Sequence, residues 1–169
     1  PADGQAPISM SSLPDFPAAH HARKLLARDL TATPARLSAK YFYDQRGCEL
    51  FEAITRLAEY YPTRTEMALL QTHGADIARS VGSCTSLIEL GAGNCEKVRR
   101  LLPALQPQCF VGVDVAGDFV QAAVERLAED FPGLEVCAVE ADISAPVTLP
   151  ARIGESGRLV FYPGSSIGN

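Results

Sequence analysis

Four short apolar runs, the first three separated by stretches of helical periodicity, constrain this chain more than anything else in it. They are Ser86-Leu-Ile-Glu-Leu90, Cys109-Phe-Val-Gly-Val-Asp114, Leu134-Glu-Val-Cys-Ala-Val139 and Arg158-Leu-Val-Phe-Tyr162. Each has the length and aliphatic content of a buried strand. Between the first two lie Val98, Leu101, Leu102 and Leu105, and between the next two Val120, Ala123, Val124 and Leu127, both sets at helical spacing. Strand and helix alternating through short connections build a parallel sheet with helices on its faces. The expected class is α/β, a doubly wound parallel sheet.

The sequence ahead of the sheet reads differently. Residues 1–16 carry Pro1, Pro7 and Pro14 among Gly, Ser and Asp and read as an extended arm. Residues 17–82 read as helical. Leu25, Leu26 and Leu30 suit a helix over 18–30, which Thr31-Ala-Thr-Pro34 breaks. Leu50, Phe51, Ile54 and Leu57 share the face of a second helix, and Pro62 interrupts it. Thr63-Arg-Thr-Glu66 has the form of a capping box opening a third helix that contains Met67, Leu70 and Ile77. Residues 83–169 then hold the strands. A length of 169 residues leaves room for one ordinary domain.

Composition removes several function classes. The formal charge of −5 argues against a phosphate-backbone binder, so no nucleic-acid partner is expected. No apolar run nears the roughly 20 residues that span a bilayer, and no basic stretch followed by an apolar one opens the sequence, so neither membrane nor export is expected. The five cysteines are odd in number, widely spaced and without a C-x-x-C pair. That pattern suits neither a disulfide framework nor structural zinc and points to a reducing, cytoplasmic compartment. His20, His21 and His73 are accompanied by no nucleophile motif. No catalytic side chain and no metal site are expected.

The strand ends carry the chemistry, because ligands of open α/β sheets bind at the carboxyl ends of the strands. The first strand ends in Glu89-Leu-Gly91-Ala-Gly93, whose glycines let backbone approach a ligand closely. Asn94 is expected to cap a helix whose free N–H groups would face the same place. The second strand ends in Asp114, a carboxylate suited to ribose hydroxyls, and the third is followed by Glu140-Ala-Asp142, suited to an adenine amino group. Taken singly, the glycine turn is a tight connection, and Asp114 or Asp142 is a cap. Three at three strand ends point to one nucleoside ligand. Glu96 stands where the dinucleotide fingerprint needs its third glycine, and its charge opposes a pyrophosphate. S-adenosylmethionine has no phosphate. Its sulfonium and amino group suit Glu89, and its carboxylate is within the reach expected of Lys97, which otherwise reads as a solvated helix residue.

Lys40-Tyr-Phe-Tyr-Asp-Gln-Arg-Gly47, Leu50-Phe51, Glu59-Tyr-Tyr-Pro-Thr-Arg-Thr-Glu66, Glu89-Leu-Gly-Ala-Gly-Asn-Cys-Glu-Lys97 and Pro163-Gly-Ser-Ser-Ile-Gly-Asn169 together resemble the S-adenosylmethionine-dependent histidine Nα-methyltransferases of ergothioneine biosynthesis. The resemblance runs from about Leu37 to Asn169. It implies a Rossmann-like class I methyltransferase sheet, its first four strands in the order 3-2-1-4, and S-adenosyl-L-methionine as cofactor. By the same resemblance Tyr43 and Lys97 hold the cofactor's carboxylate end, Gly91 lies under it, Asp114 takes the ribose, and Asp142 with Ile143 meets the adenine; Gly93, from the glycine turn itself, is expected to join them at the cofactor. Phe51, Tyr60 and Asn169 fall in the pocket for the amino-acid substrate, expected to be histidine. Two departures stand out: Ala58 replaces the family's usual proline, and Asn94-Cys95 replaces small hydroxyl residues.

The family's sheet has seven strands, and the sequence stops at Ser-Ser-Ile-Gly-Asn directly after an apolar run. The expectation is of a first half-domain that alone methylates nothing and binds cofactor weakly. A complete chain is expected to be monomeric, whereas the unpaired fourth strand of a half-domain invites edge association. Two other readings compete: a relative acting on another amine, and a non-catalytic half-domain that serves only as an interaction module.

Overall fold

A computed structural model describes residues 17–164 and 167. The chain divides into two compact units, Pro1–Ser38 and Ala39–Asn169. The first contains α1 (Pro17–Thr31), on which Leu25 and Leu26 are half-buried and Leu30 is exposed. The second contains α2 (Gln45–Thr55), α3 (Tyr61–Val81), β1 (Ser86–Leu90), α4 (Leu102–Leu105), β2 (Cys109–Asp114), α5 (Gly117–Asp130), β3 (Glu135–Glu140) and β4 (Arg158–Phe161). Single 3₁₀ turns sit at Ala39–Phe42 and Val98–Arg100.

The strands form one parallel sheet in the expected order, β3-β2-β1-β4. Ile88 of β1 lies level with Val111 of β2 and Val160 of β4, and Val111 lies level with Cys137 of β3. The strand order reverses beside β1, so the crevice at the switch point opens between the β1 and β4 ends. β1 and β2 read as continuous apolar runs because both faces are covered. On one face Leu87 and Phe110 pack with Leu70 of α3, Leu102 and Leu105 of α4, and Val120, Ala123, Val124 and Leu127 of α5. On the other, Ile88, Val111 and Val113 pack with Ile153, flanked by half-buried Ile143, Val147 and Leu149. β4 carries the more exposed side chains, Val160 among them.

Two expectations fail locally, both at prolines. Pro62 does not interrupt; it lies in the first turn of α3, where a missing N–H costs nothing. Thr63 and Glu66 are therefore already inside the helix, and no capping box forms. The helix expected after Asn94 is replaced by the 3₁₀ turn and the four residues of α4. Pro103 has no N–H to donate to the preceding turn, so the helical ladder is interrupted there although Leu101 and Leu102 keep right-handed helical backbone. Val98, Leu101, Leu102 and Leu105 are nevertheless buried as the spacing requires.

Gly112 sets how closely α5 approaches the sheet. A Cβ there would lie 3.1 Å from Val120 Cγ2, 3.1 Å from Val124 Cγ1 and 3.3 Å from the Ala92 methyl. All three belong to the packed core, so Gly112→Ala is expected to cost about 1–3 kcal/mol by overpacking. Urea unfolding reads this as a lowered midpoint at unchanged slope.

Candidate functional site at the strand ends

The turn after β1 folds back over β2. Gly91 N and Ala92 N both donate to the Val113 carbonyl, at 2.9 and 3.1 Å. The path needs positive φ at Gly91 (68°) and Gly93 (52°), which glycine adopts without steric cost. Asp114 then holds it: Gly93 N donates to Asp114 Oδ2 at 2.9 Å, and Ala116 N donates to Oδ1 at 3.0 Å. A carboxylate offers about four acceptor sites, so each oxygen keeps capacity for a further donor. Asn94 does not start a helix. Its Oδ1 accepts from Glu96 N at 3.2 Å, and its amide donates to Glu52 Oε1 of α2 at 2.9 Å.

Asp142, just past β3, is engaged on both oxygens. Lys40 Nζ lies 2.6 Å from Oδ2, and Ser144 N and Oγ donate to Oδ1 at 2.9 and 2.6 Å. The Lys40 and Ser144 donors hold its carboxyl down at about 2. Ile143 packs half-buried against the sheet.

Glu89 points to the α3 side of β1, as Leu87 does, and is 1% exposed. Its Oε2 finds no hydrogen-bond partner. Burial pushes its carboxyl well above the usual range; Lys97 opposes that shift, while Glu66 and Asp114 add to it. Lys97 itself pairs with Glu66 Oε2 at 2.7 Å. The other Glu66 oxygen accepts from Gly164 N, beyond β4, at 2.8 Å.

The segment from Ala39 to Glu66 lies across these ends. Asp44 caps α2 by accepting from Gly47 N at 2.7 Å. A Cβ on Gly47 would meet the Phe42 carbonyl oxygen at 1.6 Å, so only glycine fits there. Tyr43, Phe51 and Tyr60 stack edge to face with centroids 6.1 and 6.0 Å apart. Burial raises the Tyr43 phenol, and Tyr60 and Asp114 raise it further. Arg64 clamps the turn before α3: its guanidinium donates to the carbonyls of Leu57 (2.6 Å), Ala58 (2.6 Å) and Tyr60 (3.1 Å). Tyr60 is thereby held by backbone, which gives the Tyr-Tyr-Pro-Thr-Arg block a physical reason.

Tyr43, Glu89, Gly91, Gly93, Lys97, Asp114, Asp142 and Ile143 thus lie along the strand ends, with Phe51 and Tyr60 in the aromatic row beside Tyr43. Asn169 lies outside the described residues. Lys40, Glu52, Glu66 and Arg64 belong to the same network, and the sequence pattern does not single them out. Lys40 and Glu66 stand within the quoted motifs, but only the fold brings Lys40 to Asp142 and Glu66 to Lys97. Among the described residues no cluster of His, Cys, Asp and Glu is arranged to hold a metal, and no helix is long and apolar enough to cross a membrane. A depression of about 280 Å³ lined by Leu102, Pro107, Phe131 and Leu134 lies by the opposite, N-terminal ends of the strands.

Residues 22–169 match the family described as histidine-specific methyltransferase, SAM-dependent. The chain belongs to that family. It is 41% identical over 94% of its length to a histidine N-alpha-methyltransferase of Mycolicibacterium smegmatis, covering 51% of that protein. It is 32% identical over 80% of its length to ergothioneine biosynthesis protein 1 of Neurospora crassa, covering 16% of that protein. It is 37% identical over 49% of its length to a 4-dimethylallyltryptophan N-methyltransferase of Claviceps purpurea, covering 24% of that protein. The chain spans about half the length of the Mycolicibacterium relative.

Glu89 generates a pH-dependent cost. Its carboxyl titrates higher folded than unfolded, so stability is undiminished below about pH 4 and falls as pH rises from there toward the folded value. Glu89→Gln removes the ionisable group. The variant is expected to match the unaltered chain at pH 4 and to exceed it in urea midpoint at pH 7. A difference that does not change with pH would exclude this account.

Proposed function

We propose that the protein these residues belong to transfers a methyl group from S-adenosylmethionine to the α-amine of L-histidine, a step of ergothioneine biosynthesis. The observation that carries the reading is the convergence of a glycine turn, Asp114 and Asp142 at three adjacent strand ends, beneath Tyr43 and Tyr60, in a chain of a histidine-specific family.

The residues fit the cofactor on three counts. Asp114 keeps acceptor capacity on both oxygens for ribose hydroxyls. Glu89, with a buried oxygen that lacks a partner, suits a cationic amino end. Tyr43, with its phenol raised, stays a hydroxyl donor at neutral pH, and it and Lys97 are assigned as the two donors to the cofactor's carboxylate. Asp142 and Ile143 are assigned to the adenine, with the Asp142–Lys40 pair bordering it. Bound S-adenosylmethionine supplies an electrophilic methyl on a sulfonium sulfur. The protein's part is alignment: holding two reactants in line supplies several kcal/mol of such a barrier. Phe51 and Tyr60 line the amino-acid pocket, Arg64 holds the Tyr60 turn in place, and Asn169 takes the substrate carboxylate. The amine must reach the site unprotonated, since an ammonium has no lone pair.

A second reading, methylation of another amine, is supported by the Claviceps relative named for 4-dimethylallyltryptophan. The free cysteines, four of them buried, support a reducing, cytoplasmic setting. The deciding experiment offers the full gene product S-adenosylmethionine with histidine or tryptophan derivatives and follows methyl transfer by mass spectrometry. Histidine is expected to be methylated at its α-amine; transfer to the indole substrates instead favours the second reading. Asn169→Ala is expected to raise the apparent constant for histidine at least tenfold, a loss of about 1.4 kcal/mol, while that for the cofactor stays within about twofold. Equal effects on both would refute the role given to Asn169.

A further inference from the structure

The methyl-transfer reading leaves Glu66 without a role, yet Glu66 joins the two loops that border the switch point. It lies one turn inside α3, and its carboxylate is shared out: Oε2 to Lys97 Nζ at 2.7 Å, Oε1 to Gly164 N at 2.8 Å. Lys97 belongs to the loop after β1 and Gly164 to the turn after β4, and these strands are neighbours. Both side chains of the ion pair are largely buried, with 23% of Lys97 and 29% of Glu66 exposed. Lys97 also has a competing partner. Glu89 is buried beside it with an oxygen that lacks a hydrogen bond. An ammonium released from Glu66 would move inward to that oxygen, because an unpaired buried acceptor is the costlier group to leave.

We propose that Glu66 is a positioning residue that holds the Lys97 ammonium at the mouth of the β1 turn, away from Glu89, and anchors the turn after β4 through Gly164. One carboxylate on α3 then sets both the arm that receives the cofactor's carboxylate and the approach to the amino-acid pocket. The inference rests on the S-adenosylmethionine reading of the site.

Glu66→Gln separates the two contacts. The amide oxygen still accepts from Gly164 N, but the charge that holds Lys97 is gone. The test titrates the full chain with S-adenosylhomocysteine and with 5′-methylthioadenosine, which has the same adenine and ribose but no amino-acid end. The expected result is an approximately tenfold weaker S-adenosylhomocysteine complex, the loss of one charge-assisted contact, with 5′-methylthioadenosine binding unchanged. In a Lys97→Met background, Glu66→Gln is expected to have no further effect on either ligand. Glu66→Asp, which keeps the charge on a shorter arm, is expected to recover part of the loss.

Equal weakening of both ligands, tighter binding of S-adenosylhomocysteine, or an undiminished effect of Glu66→Gln without Lys97 would overturn the proposal. If Glu66→Gln does not fold, the comparison passes to Glu66→Asp alone, set against the unaltered chain. A loss confined to S-adenosylhomocysteine then supports the proposal, and an equal loss for both ligands overturns it. Absence of binding of either ligand to the unaltered chain defeats the cofactor reading itself and the inference with it, a different outcome from binding that Glu66 does not tune.

Discussion

The Asp114 carboxylate is the contact on which the site's geometry depends. It sits at the end of a central strand and accepts one N–H from the glycine turn after β1 and another from the loop after β2. Parallel pairing brings Glu89 level with Gly112 and Leu90 level with Val113, so both strands finish at one edge. The carboxylate then fastens one connection to the other. Without it the positive-φ path of Gly91 and Gly93 would lose its tie to the end of β2, keeping the two bonds to the Val113 carbonyl and the turn's own bond from Cys95 N to the Ala92 carbonyl.

The second level of organisation is the segment that crosses the sheet's carboxyl edge. Its ties follow the strand order: Lys40 to Asp142 beyond β3, Tyr43 facing Asp114 of β2, Glu52 to Asn94 beyond β1, and Glu66 to Lys97 and Gly164 between β1 and β4. Most of these contacts are charged or charge-assisted and largely buried, where such bonds are stronger than at an open surface. The aromatic row of Tyr43, Phe51 and Tyr60 adds rigid apolar walls to an edge otherwise rich in carboxylates. The edge thus combines several carboxylates with apolar walls and two lysines, each lysine held by a carboxylate.

The parts of this arrangement readable from sequence were those that local chemistry dictates. Strand positions followed from apolar runs, and the α5 face from the spacing of Val120, Ala123, Val124 and Leu127. The glycine turn and the place of Asp114 at a strand end were legible because only certain residues permit that turn and because an apolar run that closes on an acid marks where a buried strand stops. Thr63–Glu66 misled because its pattern is local while its use is not: Pro62 moves the helix start forward, and Glu66 is spent on partners 31 and 98 residues away. The stretch after Asn94 misled because apolar spacing records which side chains are buried, not whether the backbone between them is a continuous helix.

By itself the sequence determined the α/β class, the four strands, the family and the residues at the strand ends, since each rests on periodicity, on backbone permissiveness or on motifs of adjacent residues. Tertiary structure alone decided who pairs with whom: Lys40 with Asp142, Asn94 with Glu52, Glu66 with Lys97 and Gly164, and Glu89 left with an oxygen that lacks a partner. The physical reason is distance along the chain. A charge's field acts through space on whatever the fold brings near, and no local pattern records which distant side chain will arrive.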